Sequence, residues 1–387
     1  MIDTVIVGAG ISGLSVAEAL KDRSVVVLER YATCGGRIQT YREHGLQYEI
    51  GAGRIHASHA RVMALVQRFH LHLYPMSPFS NFNEGPNMFV SLFQPLRDYL
   101  CSLDPTLLSK HTIAELLPSE FHPILRMFPY TAEMHTLRAD LALPLFAKDQ
   151  TMGSTDYYGI QEGFDQLIQG LLQHVEVRTR HKVHDIRRFG TGFEILGSNG
   201  KKADATPFRL ECQRVVIATE YRAFKDFSIV RDSSFVQHLT DSALLRIYAV
   251  YPPVNGKVWF HDIPKTVTDS PLRYIIPIQP KSGLIMISYT DGQDTNIWRE
   301  KNGQELMDAI QKELVRVFPD RDIPAPTYLQ KHDWLAGCTY WTKGIYDRKN
   351  AMNPSKHVYI CGESVNPTQS WIESALESAE YVQKMLT

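Results

Sequence analysis

Apolar runs divide the chain into two kinds of region. In residues 1–60, 155–220 and 331–387, short apolar runs alternate with turns and with stretches of helical spacing, which is typical of an α/β layout. Residues 244–290 differ, because their short β-branched and aromatic runs are separated by turns and predict a mainly antiparallel sheet. Helical patches broken by prolines occupy residues 61–150. The pattern therefore predicts an α/β lobe assembled from separated pieces, with a second lobe inserted.

The start of the chain carries a glycine-rich turn between a predicted strand and a predicted helix. The apolar run TVIV at residues 4–7 is followed by Gly8, Gly10 and Gly13, and the helix is predicted from Ser12 onward. The first glycine allows a tight turn, the second lets the backbone approach a pyrophosphate, and the third lets helix and strand pack closely. The amide groups that open the helix face the phosphates with a favourable dipole.

A carboxylate follows the second predicted strand. The run VVVL at residues 25–28 is followed by Glu29, where an acid accepts the ribose hydroxyls of the adenosine half of a dinucleotide. We group the next residue, Arg30, with the cofactor-binding residues. A predicted strand precedes the three glycines, and a predicted helix and an acid follow them in the expected order. The first thirty residues therefore predict a dinucleotide-binding fold.

Composition and charge exclude several classes of function. Of the 387 residues, 44% are hydrophobic and 21% are charged, which is ordinary for a globular protein. The 41 basic and 42 acidic side chains leave a net charge of −1, so we expect no nucleic-acid partner and no membrane partner. The apolar runs fall short of the roughly twenty residues that span a bilayer. Because the first strand begins almost at Met1, without a signal peptide, we expect a cytoplasmic protein.

The cysteines and histidines indicate neither a disulfide framework nor a metal site. The cysteines are odd in number and lack CxxC spacing, and the histidines lack the spacing of metal ligands. We therefore expect no metal. The cysteines are Cys34, Cys101, Cys212, Cys338 and Cys361.

Three further motifs follow one another at widely separated positions. They are CGGRIQT at 34–40, YEIGAGRIHASHAR at 48–61 and YICGESVNPTQSWIESALESAE at 359–380. In this order they resemble the flavin-dependent amine oxidase superfamily, which includes monoamine, polyamine and L-amino-acid oxidases. The resemblance implies FAD rather than NAD, and an α/β fold in which an α+β substrate-binding lobe with an antiparallel sheet is inserted into a discontinuous Rossmann-type FAD-binding lobe. The implied FAD-binding domain comprises residues 1–60, 155–220 and 331–387, and the implied substrate-binding domain comprises residues 61–154 and 221–330.

The resemblance also implies which residues bind FAD. Gly36 lets the main chain pass close to the flavin side of the cofactor, and Arg37 offers a fork of donors to phosphate or to the flavin edge. Glu363 corresponds to a residue near the pyrophosphate and ribityl chain. Val183 corresponds to one whose backbone meets adenine, with a plain core valine as the alternative. The helix after Trp371 directs its N-terminus toward the flavin pyrimidine ring, where its amides stabilise negative charge. The implied cofactor-binding residues are Gly8, Gly10, Ser12, Gly13, Glu29, Arg30, Gly36, Arg37, Gly51, Ala52, Gly53, Arg54, Val183, Gly362, Glu363, Trp371 and Ile372.

The reaction of this superfamily implies a second set of residues. The substrate α-carbon gives a hydride equivalent to flavin N5, water hydrolyses the resulting imine, and oxygen reoxidises the flavin to give hydrogen peroxide. The implied catalytic residues are Arg246, Trp371 and Tyr340. Arg246 stands where the family usually has a lysine that holds a water near flavin N5, and arginine differs from lysine in shape and in its permanent charge. This departure leaves open a dehydrogenase with another electron acceptor, and a solvent-facing arginine is the alternative.

Arg54 is the substrate-binding candidate that the resemblance singles out. It lies in GAGRIHASHAR, the segment where L-amino-acid oxidases place the arginine that binds the substrate carboxylate, and its guanidinium fork matches a carboxylate bidentately. Related flavoproteins with other substrates also carry a basic residue there, so both interpretations stay open. Trp371 and, on the opposite side, Tyr340 and Trp341 are expected to wall a slot for a neutral amine. Cys338 lies in AGCTY, which resembles the stretch that attaches FAD covalently in monoamine oxidases; an inert buried thiol is the preferred alternative.

Three hypotheses about function follow. The first is FAD-dependent oxidation of the C–N bond of an amine, foremost an L-amino acid, with O2 or another electron acceptor. The second keeps FAD but changes the reaction to that of a desaturase, an isomerase or a renalase-like oxidase of another substrate. The third is a flavin-binding protein without turnover. A homodimer is left open in each case.

Overall fold

The protein divides into two compact units. The first consists of Met1–Pro75, Asp156–Asp241 and Cys338–Thr387, and the second of Met76–Thr155 and Ser242–Gly337. The computed structural model describes residues 2–76, 80–81, 88–150, 157–201, 204–344 and 346–386.

The boundaries of these units differ from the predicted domains at 61–75, 221–241 and 331–337. Residues 61–75 fall in the first unit, where their helix packs against the C-terminal helix and their strand pairs with residues 157–160. Residues 221–241 also fall there, because the Ile229 amide donates to the carbonyl oxygen of Ile186 at 3.2 Å. Residues 331–337 fall in the second unit.

Short strands are distributed along the whole chain. In chain order they are β1 (Ile2–Val7), β2 (Val25–Leu28), β3 (Thr40–Tyr41), β4 (Tyr48–Glu49), β5 (Ile55–His56), β6 (Leu73–Pro75), β7 (Ser80–Asn81), β8 (Tyr157–Ile160), β9 (Val177–Arg178), β10 (His181–Phe189), β11 (Gly192–Asn199), β12 (Thr206–Ile217), β13 (Leu239–Val250), β14 (Lys265–Val267), β15 (Tyr274–Gln279), β16 (Leu284–Asp291), β17 (Tyr328–Trp341) and β18 (Val358–Ile360).

Helices lie between the strands of the first unit, and in the second unit most of them lie in the segment Met76–Thr155. Within the described ranges, none of them has both the length and the apolar character needed to cross a bilayer. In chain order they are α1 (Ile11–Ala19), α2 (Ala60–Arg68), α3 (Met88–Ser102), α4 (Pro105–Leu108), α5 (Ile113–Leu116), α6 (His122–Leu125), α7 (Thr131–Thr136), α8 (Ala139–Gln150), α9 (Asp165–Leu172), α10 (Asn296–Arg299), α11 (Gly303–Val317), α12 (Arg348–Met352) and α13 (Ile372–Leu386).

The first unit is built on a mostly parallel sheet with the strand order β10-β11-β12-β1-β2-β9, to which β18 is added beside β12. Strand β1 runs parallel to both β12 and β2, and β12 runs parallel to β18. Helices α1, α9 and α13 pack together, and their apolar faces join the strands in one core that includes Leu14, Leu171 and Val382. This layout confirms the predicted α/β class, and the runs at 214–219 and 357–361 form the buried strands that their composition predicts.

The second unit is built on a sheet with the strand order β17-β13-β16-β15-β14-β7. The pairs β13–β16, β15–β16 and β14–β15 are antiparallel, which confirms the sheet predicted for residues 244–290. Its core includes Trp298 and packs against α11 through Leu314. Asp291, at the end of β16, is buried and accepts a 2.7 Å hydrogen bond from the Ala132 amide. Burial raises the pKa of the Asp291 carboxyl to about 6.

Candidate active site

The carboxyl ends of four parallel strands meet at one edge of the first sheet. Strands β1, β2, β12 and β18 are mutually parallel, so the segments that follow them lie side by side. These segments begin with Gly8 after β1, Glu29 after β2, Thr219 two residues after β12 and Gly362 two residues after β18. An edge of this kind is where open α/β sheets bind their ligands.

Gly8 and Gly13 of the first turn lie where a side chain would collide with the backbone, as their spacing predicts, and Gly10 borders open space. Gly8 adopts a φ of +107°, and a Cβ there would lie 2.5 Å from the Ala218 carbonyl oxygen. A Cβ on Gly13 would lie 2.1 Å from the carbonyl oxygen of Gly8, so this glycine allows the close packing of helix and strand. A Cβ on Gly10, in contrast, would meet nothing within 4 Å. Gly10 therefore faces open space at the start of α1, where no side chain caps the helix and Ser12 is buried.

Glu29 is fixed beside this turn by backbone amides. One carboxylate oxygen accepts from the Ala9 amide and the other from the Tyr31 amide, both at 2.9 Å. The carbonyl oxygen of Glu29 accepts from the His181 amide at 2.8 Å, which ties the acid to the start of β10. Val183, two residues further on, is buried beside a β-bulge. Each oxygen of Glu29 uses one lone pair on an amide, which leaves acceptor capacity for hydroxyl groups.

The segment of Gly35, Gly36 and Arg37 passes next to the glycine turn. The Gly35 amide donates to the Ala9 carbonyl oxygen at 2.8 Å, and Gly36 has a φ of +59°. The Arg37 carbonyl oxygen accepts from the Ala52 amide at 2.9 Å, so the Gly51–Gly53 turn follows as the next layer. The predicted cofactor residue Arg30 has a side chain that is 41% exposed, and its guanidinium lies 3.4 Å from the carboxylate of Glu220.

An ion pair joins two segments of this site that are far apart in the sequence, since its residues, Arg37 and Glu363, are separated by 326 positions. Arg37 Nη1 lies 2.7 Å from Glu363 Oε1, and the Glu363 side chain is only 8% exposed. Glu363 Oε2 also accepts from the Ser370 amide at 3.1 Å. Burial alone would lower the pKa of Arg37, but the charge and hydrogen bond of Glu363 outweigh it and raise that pKa. The sequence motifs predicted both residues as cofactor contacts but did not predict that they bind each other.

The residues at this edge fit an FAD cofactor. The open space at Gly10 and the uncapped start of α1 suit a pyrophosphate. Glu29 suits a ribose, and the buried Thr219 hydroxyl has no hydrogen-bond partner among the described residues, as expected of a group that meets a ligand. We refer to this set as the cofactor cradle: Gly8, Gly10, Ser12, Gly13, Glu29, Gly35, Gly36, Arg37, Thr219, Gly362 and Glu363.

Arg54 and Trp371, predicted from separate motifs, lie together. The Arg54 guanidinium carbon is 5.1 Å from the centre of the Trp371 ring and 5.2 Å from that of Tyr157. His59 contacts the other side of the tryptophan, with ring centres 5.0 Å apart at 70°. Tyr157 and His59 are buried at 8% and 9% exposure. We call Arg54, His59, Tyr157 and Trp371 the arginine cluster; sequence analysis missed its tyrosine and histidine.

Trp371 immediately precedes α13, as predicted, and its carbonyl oxygen accepts from the Ala375 amide at 3.2 Å. Ser370 adopts a φ of +71°, which sets the sharp entry of the chain into this helix. Ile372, the first residue of α13, is buried, and the predicted helical spacing of apolar residues matches the buried face. The helix thus holds the tryptophan next to Arg54.

Tyr340 and Trp341 do not form one wall. Both are buried in β17, but successive side chains of a strand point to opposite faces. Trp341 packs against Tyr346 and Phe235, with ring centres 4.7 and 6.5 Å apart, and it is 0% exposed. The ring of Trp341 is therefore enclosed by aromatic neighbours on the side of β17 opposite Tyr340, and its predicted place in a substrate slot stays a prediction. Cys338 lies two residues before Tyr340, on the same side of the strand, and is buried.

Arg246 is half-buried in an aromatic environment of the second unit. It is paired across β13 and β16 with Tyr289, and its guanidinium carbon is 4.6 Å from the centre of that ring. Tyr130 contacts the same ring edge-to-face at 5.6 Å. Burial and the Arg246 charge lower the pKa of His332 to about 4, so this histidine is neutral near pH 7. Arg246 thus contacts aromatic rings while remaining partly exposed, and its role near the flavin stays a prediction.

Comparisons with known proteins identify a nucleotide-binding domain and an amine oxidoreductase family in this chain. Residues 115–382 match the family model for flavin containing amine oxidoreductases, and residues 6–69 match that for an NAD(P)-binding Rossmann-like domain. The chain is similar to the L-amino-acid oxidase of Siganus canaliculatus, at 21% identity over 97% of this chain and 83% of that protein. The corresponding values for the L-amino-acid oxidase of Protobothrops flavoviridis are 23%, 97% and 86%.

Solved structures share the fold. Putrescine oxidase bound to putrescine has a TM-score of 0.78 at 16% identity, covering 100% of this chain and 98% of that one. Cyclohexylamine oxidase from Brevibacterium oxydans IH-35A has a TM-score of 0.77 at 18% identity, covering 100% and 99%.

Proposed function

The chain belongs to the family of flavin containing amine oxidoreductases and is an FAD-dependent enzyme, and on this premise we propose that its substrate is an L-amino acid. The observation that carries the proposal is the position of the Arg54 guanidinium over Trp371, at the start of α13. A permanent positive charge held at this helix start offers a carboxylate a bidentate partner that a simple amine cannot use. The L-amino-acid oxidases similar over 97% of the chain add support.

The cofactor cradle would hold the dinucleotide along its length. Glu29 would bind the ribose, the amides that open α1 would bind the pyrophosphate, and the Arg37–Glu363 pair would fix the two segments that flank the cofactor. When bound, FAD accepts the hydride equivalent from the substrate α-carbon. The protein supplies orientation, electrostatics and exclusion of water.

Arg54 would orient the substrate through its carboxylate. Because a carboxylate and the amine of an amino acid share one carbon, fixing the carboxylate also limits where the α-hydrogen points. The ring of Trp371 would shield the arginine from water and so strengthen the charge pair. Arginine keeps its charge across the physiological pH range. The charge pair between Arg54 and the substrate carboxylate therefore does not depend on the protonation of the substrate amine.

Matched substrate pairs test the proposal directly. The enzyme is offered L-phenylalanine and phenethylamine, and likewise L-leucine and 3-methylbutylamine, which differ only in the carboxylate. We expect ammonia release and anaerobic bleaching of the flavin with the amino acids, with a kcat/KM at least tenfold above that of the paired amine. Equal or higher values for the amines would refute the proposal and favour an oxidase of simple amines. If no compound in a wider amine panel bleaches the flavin, a different flavin reaction or a protein without turnover is indicated.

A second candidate concerns the electron acceptor. Arg246, placed against Tyr289 and close to the neutral His332, brings a permanent cation where the resemblance implies a lysine. Because a planar guanidinium cannot hold a water as a compact ammonium does, we propose slow reaction with oxygen and turnover with another acceptor. Initial rates with air-saturated buffer and with a quinone or dye acceptor decide between oxidase and dehydrogenase. Hydrogen peroxide formed in step with ammonia would rule out the dehydrogenase.

A further inference from the structure

Tyr157 stands against the arginine that we assign to the substrate carboxylate. Its ring centre lies 5.2 Å from the Arg54 guanidinium carbon, and the Trp371 ring centre lies 5.1 Å from the same atom. The two rings are 6.2 Å apart and within 21° of parallel. The guanidinium therefore contacts two aligned aromatic rings at once. We propose that Tyr157 is a specificity-determining residue, which positions Arg54 so that the site selects substrates with a carboxylate beside the amine.

The proposal rests on the function proposed above and adds how the Arg54 guanidinium is held in its binding orientation before the substrate arrives. An arginine side chain has several rotatable bonds, and ordering them on binding lowers affinity. Attraction between the cation and a desolvated aromatic ring holds the guanidinium in place before the substrate arrives. The planar group then directs its N–H donors in its own plane, where a carboxylate can meet them bidentately.

The backbone fixes Tyr157 as firmly as it fixes Arg54. Strand β5 begins at the residue after Arg54, and its antiparallel pairing with β8 places His56 opposite Tyr157. The His56 ring meets the Tyr157 ring edge-to-face at 4.9 Å. One strand register therefore sets both the arginine and the ring that contacts it.

A histidine supports the second ring in the same manner. His59 Nδ1 accepts a 3.2 Å hydrogen bond from the His56 amide, which fixes the orientation of the His59 ring. The His59 ring then packs edge-to-face on Trp371 at 5.0 Å. Each of the two aromatic rings that contact Arg54 is thus held by a histidine, Tyr157 by His56 at the end of β5 and Trp371 by His59 three residues later.

The test separates positioning from ordinary packing. Tyr157→Phe keeps the ring, whereas Tyr157→Leu removes it while filling part of its volume. For the FAD-loaded Tyr157→Leu enzyme we expect KM for the L-amino acid to rise about tenfold, with kcat changed less, while KM for the matched amine stays within twofold. Tyr157→Phe keeps the ring that contacts Arg54 and should retain the preference for the amino acid over the matched amine. Tyr158→Leu, on the opposite face of β8, is the matched control for a weakened strand and should shift both substrates equally.

A binding measurement supports the kinetic one. 3-Phenylpropionate carries the carboxylate without an oxidisable amine, and its binding is followed through the flavin absorbance spectrum. We expect its dissociation constant to rise about tenfold in Tyr157→Leu and to rise much less in Tyr157→Phe, which keeps the ring. If Tyr157→Leu lowers FAD content or the unfolding temperature, Tyr157→Trp, which restores a ring, should recover selectivity.

The outcomes distinguish this inference from the function on which it rests. If Arg54→Gln leaves the preference for the amino acid intact, the proposed carboxylate role of Arg54 fails and the role of Tyr157 fails with it. If Arg54→Gln abolishes the preference but Tyr157→Leu retains it, only the role of Tyr157 is overturned. An equal rise of KM for the amino acid and for the amine in Tyr157→Leu would show packing alone and would also overturn it.

Discussion

Breaking the Arg37–Glu363 ion pair perturbs the cofactor cradle at the point where its two chain segments meet. Glu363→Ala takes away the carboxylate 2.7 Å from Arg37 and the acceptor of the Ser370 amide. Removing one partner of a fully buried pair costs about 3–5 kcal/mol, because the other charge stays desolvated. The Arg37 side chain is 29% exposed, so water recovers part of this loss. We expect the free energy of unfolding to fall by about 2–3 kcal/mol.

A double-mutant cycle isolates the pair from the other contacts of each residue. Arg37→Ala, Glu363→Ala and the double variant are unfolded with urea at one fixed FAD concentration, and the FAD dissociation constant of each is measured separately. We expect a coupling energy of about 1–2 kcal/mol. The Lys384–Glu380 pair is the control, since its nitrogen–oxygen distance is similar at 2.6 Å but its side chains are 72% and 40% exposed. Its coupling should be about 0.3–0.5 kcal/mol. A coupling for Arg37–Glu363 no larger than this control would refute the argument.

Three further predictions follow from other parts of the structure. Arg54→Ala should lower kcat/KM for an L-amino acid about thirtyfold, the equivalent of about 2 kcal/mol, without changing FAD affinity; steady-state kinetics with an unchanged KM would remove its carboxylate role. Arg246→Lys should accelerate flavin reoxidation by oxygen in stopped-flow measurements, and an unaltered rate would tell against the assignment. Because the folded pKa of Asp291 is raised to about 6, its protonated form stabilises the protein and that contribution is lost as pH rises from about 4 through 6. The unfolding free energy of the wild type should therefore fall by about 1–3 kcal/mol relative to that of Asp291→Asn over this range. Urea unfolding that gives the same difference between the two proteins at pH 4 and at pH 7 would contradict this prediction.

Features that depend on neighbouring residues were predictable from the sequence. The roles of Gly8, Gly10 and Gly13 follow from the turn that they form, and Glu29 follows from the end of a strand. The antiparallel sheet of residues 244–290 follows from alternating apolar runs and turns. In each case the information lies within one or two elements, where periodicity and turn chemistry decide the structure.

Features that depend on distant segments were not predictable in the same way. The Arg37–Glu363 pair spans 326 positions, and no local pattern indicates which cradle residue will neutralise another. Tyr157 meets Arg54 only because β8 pairs with β5. The arrangement of Tyr340 and Trp341 has a local origin, since the two-residue period of a strand implies that neighbouring side chains of β17 face opposite sides.

The order of strands in the first sheet has a consequence for biosynthesis. Strand β1 is made before both of its neighbours, β2 and β12, and Glu363, the acid that completes the cofactor cradle, follows Gly13 by 350 residues. At about 5–20 residues per second, a ribosome needs about 20–70 s between the glycine turn and that acid. The nascent chain therefore carries an unfinished nucleotide pocket and an apolar first strand without its central partner. FAD can therefore meet a complete cofactor cradle only after the segment that carries Glu363 has been made.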